Sequence, residues 1–223
     1  MSDAHPNSRY YRFPRPEMLP FIPAKRTRIL DIGCGQGTFS AGIEGVEEAW
    51  GVEPSDAAQA AIQRLHTVIH NTFEGAKPQL PNRYFDVVVC NDVIEHMTDH
   101  DAFFESIKDH LAPGGVLVGS IPNVRHYVNL FDILLGRDWE YRDAGILDRT
   151  HLRFFTERSL RRAFVRHGYR IEIFEGINSG INWGDPDVLT RHKIFGTAMT
   201  VGSLGYFNDI RHLQFGFRVG LSA

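Results

Sequence analysis

The chain has 223 residues, of which 43% are hydrophobic and 23% are charged, and this balance excludes an intrinsically disordered polypeptide. A formal net charge of -3 excludes a general attraction to nucleic acid or to anionic membranes. The length suits one domain over residues 1–223, with a Pro-rich lead-in over residues 1–26, better than two separate cores.

The chain carries no sequence signal for a membrane or an export route. No apolar stretch reaches the roughly 20 residues of a transmembrane helix, and residues 1–16 lack the apolar run of a signal peptide. Cys34 and Cys90 lie in Gly-rich and apolar segments, which favours buried fillers over a disulfide or a cysteine zinc site. We therefore predict a cytoplasmic monomer or homodimer without stable membrane insertion.

The predicted secondary structure alternates between strands and helices. Residues 85–90 form an unbroken β-branched run, which is typical of a central parallel strand covered on both faces. This alternation predicts a doubly wound parallel α/β sheet. The remaining predicted strands span residues 27–32, 48–53, 67–70, 116–121, 169–174 and 213–219, and the predicted helices span residues 38–43, 56–65, 98–111 and 156–167.

Two stretches are too long to be simple connections, and we interpret both as lid inserts. The first, residues 126–149, follows the carboxyl end of a predicted strand, where ligands bind in open α/β sheets. The second, residues 178–209, lies between the last two predicted strands and is a candidate to cover the same opening. In the first insert, Trp139 and Tyr141 either stack on a substrate ring or pack within the lid.

A glycine loop follows the first predicted strand, in the run Asp31-Ile32-Gly33-Cys34-Gly35-Gln36-Gly37. Such a loop is a tight turn, or it brings bare backbone against a ligand where a Cβ would collide. Glu53 ends the next predicted strand, where an acid accepts hydrogen bonds from ribose hydroxyls. A buried Asp31 carboxylate would repel a pyrophosphate and attract an ammonium group. The pattern predicts an adenosine-type ligand that carries an ammonium group, rather than a dinucleotide.

The acid-x-Gly-x-Gly-x-Gly loop resembles that of the class I S-adenosylmethionine-dependent methyltransferases, and the resemblance covers roughly residues 10–177. It implies a Rossmann-like sheet of seven mostly parallel strands with the last strand antiparallel and helices on both faces. It also implies S-adenosyl-L-methionine as the cofactor. The residues that the resemblance assigns to cofactor binding are Asp31, Gly33, Cys34, Gly35, Gly37, Glu53, Thr72, Phe73, Asn91 and Asp92.

The resemblance gives these residues separate roles. Glu53 matches the ribose-binding acid, Thr72 and Phe73 match the segment beside adenine, and Asn91 and Asp92 match the loop that lines the methyl-transfer face. The usual Asp of the adenine segment is absent. Tyr11 and Arg12 precede the first strand and either close over the cofactor carboxylate or belong to a mobile terminus.

Residues 120–126 and 148–156 resemble small-molecule methyltransferases related to the ubiquinone-biosynthesis O-methyltransferases, especially those of cell-surface polysaccharide and other sugar pathways. The resemblance implies transfer to an oxygen, less readily a nitrogen, of a small acceptor such as a sugar or polysaccharide precursor. A quinone or phenol acceptor, a non-catalytic cofactor-binding module and an NAD-dependent dehydrogenase are the alternatives. Aromatic stacking in the lid would favour a phenol, whereas polar groups directed at hydroxyls would favour a sugar.

Transfer to a hydroxyl requires a group that takes the proton. His151 is the first candidate, because an imidazole titrates near pH ~6.5 and the residue ends the first insert, and His126 is the second. Asp148 either orients His151 or caps the following turn. Glu95 and His96 are adjacent and lack a partner motif, so we predict a structural role for the pair and no metal site.

Overall fold

The computed structural model of the protein describes residues 14–180 and 188–222. The strands are β1 (Arg28–Ile32), β2 (Glu48–Val52), β3 (Thr67–Ile69), β4 (Phe85–Asn91), β5 (Leu111–Pro122), β6 (Tyr169–Ser179) and β7 (His212–Leu221). They form one seven-stranded sheet in the order β3-β2-β1-β4-β5-β7-β6. Strands β1 to β5 pair in parallel, and β7 is antiparallel to both β5 and β6. The predicted seven-stranded, mostly parallel sheet with an antiparallel last strand is confirmed.

The helices lie in the connections between the strands. They are α1 (Thr38–Ala41), α2 (Ala58–Ala61), α3 (Phe73–Ala76), α4 (His100–His110), α5 (Tyr127–Phe131), α6 (Glu157–Arg166) and α7 (Thr190–Gly202). The helix predicted from residue 98 is capped by Asp99, which accepts a hydrogen bond from the Ala102 amide, so α4 begins at His100. α6 begins as predicted, since Thr156 forms a capping box with Ser159. None of these helices, in the ranges described, is both long enough and apolar enough to cross a bilayer.

The hydrophobic core lies on both faces of β4. Val88 and Cys90 belong to the cluster on one face, which also contains Phe103 of α4. Val87 belongs to the cluster on the other face, together with Met18, which is 0% exposed. Alternate side chains of a strand point to opposite faces, so the β-branched run fills both clusters at once. The 3-10 turn at Pro16–Phe21 makes part of the predicted lead-in a piece of the core.

The strand predicted over residues 116–121 begins earlier in the structure, directly after α4. β5 begins at Leu111, directly after the helix, and residues 112–115 form an irregularity in its pairing with β4. Gly114 has a φ of +78°, and a Cβ on Gly115 would lie 2.7 Å from the carbonyl oxygen of Phe85. Two glycines are therefore needed for a bulge within the strand, rather than for a turn before it.

The two predicted inserts pack against each other, because α5 belongs to the first and α7 to the second. The rings of Phe131 and His192 are 4.5 Å apart. A Cβ on Gly196 would lie 2.8 Å from the ring of Tyr127, so the helices approach closely at this glycine. β6 extends to Ser179, which is further than predicted, and residues 181–187 of the second insert lie outside the described part.

Candidate active site

The glycine loop joins β1 to α1 at the carboxyl edge of the parallel strands. Gly33, Gly35 and Gly37 have φ angles of 70°, 54° and 74°, in the left-handed region that glycine adopts without strain. A Cβ on Gly33 would lie 2.7 Å from Cγ2 of Val93, in the loop after β4. The backbone of the glycine loop is therefore packed directly against that second loop.

Asp31, near the end of β1, is a buried carboxylate. It is 4% exposed, and its Oδ2 accepts a hydrogen bond from the Ser40 hydroxyl at 2.7 Å. Burial, with the Glu53 carboxylate adding to it, raises the pKa of Asp31 from 3.8 to about 7, although the Ser40 hydrogen bond opposes the change. A carboxylate in this environment is stabilised by a cation.

Glu53 follows β2 and is also 4% exposed. Its Oε2 accepts a hydrogen bond from the Gly35 amide at 2.8 Å, and its Oε1 accepts one from the Ser55 amide at 2.9 Å. Glu53 thus connects the glycine loop to the turn after β2, a structural role that sequence reasoning did not anticipate.

Three of the side chains assigned to cofactor binding serve the fold. Cys34 packs with Leu65 in a small core cluster, and burial raises the pKa of its thiol. The ring of Phe73 is 4% exposed and packs edge-on against Phe103, with centroids 5.2 Å apart. The hydroxyl of Thr72 caps α3 by accepting a hydrogen bond from the Gly75 amide. These contacts give each of the three side chains a structural role, and their roles in cofactor binding stay predictions.

Asn91 and Asp92 end β4, and their surroundings differ. Asp92 accepts hydrogen bonds from Arg15 at 2.6 Å, from Ser120 at 2.8 Å and from Gln214 at 2.7 and 2.8 Å. The Oδ1 atom of Asn91 is buried and has no hydrogen-bond partner among the described residues. Asp92 is thus held in a network of side chains, whereas Asn91 retains an unused acceptor.

The network around Asp92 includes a residue that sequence reasoning missed. Arg15 reaches Asp92 across 77 positions of sequence, and its Nη2 donates to the Ser120 hydroxyl at 2.8 Å. No local pattern marks Arg15, because its partners come from distant strands. Tyr11 and Arg12, the residues that we expected near the cofactor carboxylate, lie outside the described residues.

His151 lies beside His96, with ring centroids 4.7 Å apart. The Nδ1 atom of His151 is 2.9 Å from the Ile146 carbonyl oxygen, and Nδ1 of His96 is 3.2 Å from the Thr150 carbonyl oxygen. Glu95, next to them, is 1% exposed, and burial raises its pKa well above the usual range. Burial and the neighbouring His151 lower the pKa of His96. The fold therefore brings together two rings from segments far apart in sequence.

Neither the Asp148 side chain nor the His126 side chain forms a hydrogen bond with the His151 ring, although the His151 amide donates to the Asp148 carbonyl oxygen at 2.9 Å. Oδ1 of Asp148 accepts hydrogen bonds from the amide of Thr150 at 2.8 Å and from its hydroxyl at 2.6 Å, which is the turn-capping alternative. The ring of His126 packs on Tyr127, with centroids 4.3 Å apart. Burial and His212 lower the pKa of His126 to about 4. A ring with that pKa is a weak proton acceptor.

An aromatic cluster lies beside His151. The ring of Phe154 is 6.5 Å from that of His151, 5.2 Å from that of Trp139 and 6.4 Å from that of Tyr141. Trp139 is 38% exposed and Tyr141 is 48% exposed. The end of the first insert therefore presents partly exposed aromatic rings next to the histidine pair.

Comparison with known protein families gives a match over most of the chain. A family model described as a methyltransferase domain matches residues 5–172. The chain belongs to this methyltransferase family. The match confirms the class I S-adenosyl-L-methionine-dependent methyltransferases expected from the glycine loop, and S-adenosyl-L-methionine is the cofactor of that class.

Curated relatives of the methyltransferase match between about half and three fifths of its length. The ubiquinone biosynthesis O-methyltransferase of Rickettsia typhi is 27% identical over 140 residues, which are 60% of this chain and 55% of that protein. The enzyme of the same name from a Bradyrhizobium species is 31% identical over 120 residues, which are 52% of this chain and 47% of that protein. The chain thus spans about half the length of the curated relatives it matches.

Solved structures share the fold of the methyltransferase over almost its whole length. An S-adenosylmethionine-dependent methyltransferase from Archaeoglobus fulgidus has a TM-score of 0.65 and 18% sequence identity, covering 91% of this chain and 89% of that one. A phosphoethanolamine N-methyltransferase from Haemonchus contortus has a TM-score of 0.59 and 20% identity, covering 93% of this chain and 52% of that one. At these identities the likeness establishes the fold alone.

Proposed function

We propose that the chain transfers a methyl group from S-adenosyl-L-methionine to a hydroxyl oxygen of a small aromatic acceptor. When bound, the cofactor supplies a methyl group on a positively charged sulfur, and the methyl group passes to the oxygen while the sulfur keeps the bonding electrons. The observation that carries the choice of acceptor is the partly exposed aromatic cluster of Trp139, Tyr141 and Phe154 beside His151.

The buried groups around the glycine loop fit the proposed cofactor. The Asp31 carboxylate is buried with one hydroxyl partner, so it would bind the ammonium group of the cofactor. The tight packing at Gly33 keeps side chains out of the loop, which allows close approach to its main chain. The Oδ1 atom of Asn91 is a buried acceptor without a partner among the described residues, so it would accept a hydrogen bond from the ligand.

We expect Glu53→Ala to weaken cofactor binding by about 1.5–3 kcal/mol, the usual contribution of hydrogen bonds to a charged group. The variant would lose the acceptor proposed for the ribose hydroxyls and the support that Oε2 gives to the Gly35 amide. Calorimetric titration with the demethylated cofactor product measures the change. Glu47→Ala, an exposed acid before β2, is the matched control and should bind as the wild type does. Equal affinity in the Glu53 variant would remove Glu53 from the cofactor site.

The charged groups of the first insert also favour an aromatic acceptor over a sugar. Arg142 pairs with Asp132 at 3.3 Å, and Arg149 pairs with Asp143 at 2.8 Å. These exposed charged side chains are paired with one another, and the partly exposed aromatic rings beside His151 are suited to stacking on a planar ring. The names of the curated relatives, ubiquinone biosynthesis O-methyltransferases, support the same class of acceptor.

His151 is the group placed to accept the hydroxyl proton. The Ile146 carbonyl oxygen can only accept a hydrogen bond, so Nδ1 of His151 carries its hydrogen. In the neutral ring, Nε2 then has a lone pair, and no described residue forms a hydrogen bond with it. The Ile146 carbonyl thus selects the tautomer of His151 in which Nε2 can accept a proton.

We expect His151→Gln to lower the turnover number by about 10²–10⁴-fold, the usual contribution of a general base, without changing cofactor affinity. His126→Gln should have a much smaller effect, because its ring packs on Tyr127, away from the His96–His151 pair. Steady-state rates with an accepted substrate, together with calorimetric titration of the cofactor product, measure both quantities. A normal turnover number in the His151 variant would exclude it as the base.

The choice of acceptor is tested with a panel of simple phenols, catechols, hydroquinones and monosaccharides. We expect mass spectrometry to detect methyl ethers of the aromatic hydroxyls. Methylation of the monosaccharides alone would contradict the aromatic acceptor and support a sugar acceptor. Binding of the cofactor without methylation of any compound in the panel would favour a non-catalytic binding module.

A further inference from the structure

Glu95, His96 and His151 each offer one ligand atom, and the three atoms all lie within 4.8 Å of one another. Glu95 and His96 lie in the 3-10 turn after β4, whereas His151 comes from the end of the first insert. The two segments are held together by the backbone, since the Leu152 and Arg153 amides both donate to the Glu95 carbonyl oxygen, at 2.8 and 3.1 Å. The fold itself therefore holds Glu95, His96 and His151 close together.

The hydrogen-bond partners of both histidine rings lie at Nδ1. Nδ1 of His151 lies at the Ile146 carbonyl oxygen, and Nδ1 of His96 lies 3.2 Å from both the carbonyl and the hydroxyl oxygen of Thr150. The Thr150 hydroxyl donates its hydrogen to Asp148, so both Nδ1 atoms face acceptors and carry hydrogens. Each Nε2 is left with a lone pair and with no hydrogen-bond partner in residues 14–180 and 188–222. A carbonyl that fixes the far nitrogen is the usual support of a metal-binding histidine.

The Glu95 side chain is the independent observation that points to a ligand. It is 1% exposed, and neither of its two carboxylate oxygens has a hydrogen-bond partner among the described residues. A buried carboxyl group without partners is costly, unless a proton or a cation satisfies it. The cluster thus combines an unsatisfied oxygen donor with two imidazole nitrogens.

We propose that Glu95, His96 and His151 bind one divalent transition-metal cation, with zinc as the best match. Two imidazoles and one carboxylate are a donor set that suits zinc, whereas calcium and magnesium prefer oxygen ligands alone. Zinc bonds of about 2.0–2.2 Å require only that the three side chains move together slightly. Three protein ligands leave a fourth position open, as in catalytic zinc sites.

This proposal reverses the expectation of no metal site, which rested on the absence of a third ligand near Glu95 and His96. The fold supplies that ligand from the segment after the first insert. Sequence spacing gives no hint of it, because 54 positions separate His96 from Thr150, the residue that precedes His151.

The bound cation would change the role of His151 in the proposed function, and this consequence rests on that function. With Nε2 bound to the metal, His151 no longer accepts a proton. A hydroxyl oxygen in the open position would instead lose its proton more readily, because the metal stabilises the anion. The cluster lies after Val93, which packs on Gly33, so the cation would be close to the cofactor loop.

The test uses the full chain, stripped with a chelator and titrated with Co²⁺, a spectroscopic substitute for zinc. We expect one equivalent to bind with the visible absorption of four-coordinate Co²⁺, and zinc to displace it. Glu95→Gln and His151→Gln should lose this absorption, and His70→Gln, an exposed histidine outside the cluster, should keep it. His96→Asn gives a further variant if Glu95→Gln does not fold, as judged by circular dichroism.

Two results would overturn the metal site: no Co²⁺ uptake by the wild-type chain, or an unchanged spectrum in Glu95→Gln and His96→Asn. Its use in the reaction is tested separately, by comparing turnover of the stripped and zinc-loaded chain. Equal turnover would overturn that use and leave His151 as the proton acceptor. Calorimetric titration of the stripped chain with the cofactor product tests the proposed function independently, because it requires no metal.

Discussion

Asp31→Asn is expected to stabilise the ligand-free chain at pH 8 by up to about 4 kcal/mol. The pKa of Asp31 is raised from 3.8 to about 7, and each unit corresponds to about 1.4 kcal/mol. Because the folded chain holds this proton more tightly than the unfolded chain does, its contribution favours folding below pH 4 and is lost as the pH rises through 7. Asparagine is neutral throughout and can still accept the Ser40 hydrogen bond.

Urea unfolding at pH 4, 5, 6, 7 and 8 measures this effect. The wild-type chain should lose stability relative to Asp31→Asn as the pH rises from 4 to 7, and the stabilities of the two chains should converge only below about pH 4. The same variant should also bind the cofactor more weakly at pH 8, because asparagine lacks the negative charge proposed to pair with the ammonium group of the cofactor. If the two chains show parallel pH profiles, Asp31 is ionised in the folded protein at neutral pH and the burial argument is wrong.

Asp92→Asn is expected to destabilise the chain by about 3 kcal/mol, because it leaves the Arg15 guanidinium in a largely buried site without its main partner. The Arg15 and Asp92 side chains are 16% and 11% exposed, so water screens the pair only weakly. Asparagine keeps the shape of the side chain and tolerates the left-handed backbone of Asp92, whose φ is 54°. The loss of stability in this variant therefore measures the effect of removing the charge, and not an effect on the backbone.

A double-mutant cycle with Arg15→Met separates this pair from its neighbours. The double variant should lose clearly less free energy of unfolding than the two single variants lose together, since neither residue 15 nor residue 92 then carries a buried charge. Urea unfolding at one pH provides the four free energies. Strictly additive losses would mean that Arg15 and Asp92 contribute independently to stability, and that the ion pair between them is not what couples the lead-in to the end of β4.

The sequence was sufficient for features that local chemistry determines. The β-branched run at residues 85–90 predicted β4, and the helices predicted over residues 98–111 and 156–167 are observed as α4 and α6, with ends shifted by one or two residues. The glycine loop predicted the family, since its spacing and the preceding acid depend on adjacent residues only. Boundaries were less accurate: the helix expected over residues 56–65 is regular only over Ala58–Ala61.

The features that sequence reasoning missed all depend on contacts between distant segments. Arg15 meets Asp92 only because the lead-in packs beneath the sheet, and His151 meets His96 only because the first insert folds back over β4. Phe73 and Cys34 were assigned to a ligand from their position in a motif, but burial directs their side chains into core clusters. Motif position therefore did not determine the direction in which these side chains point.

The position of β7 has a consequence for synthesis of the protein. β7 pairs with β5 on one side and β6 on the other, although it is formed from the last strand residues of the sequence, His212–Leu221. While a ribosome still holds those residues in its exit tunnel, β6 has no neighbour to pair with, and one edge of β5 is uncovered. The nascent chain must then keep two exposed edges from joining those of other chains until β7 has left the exit tunnel.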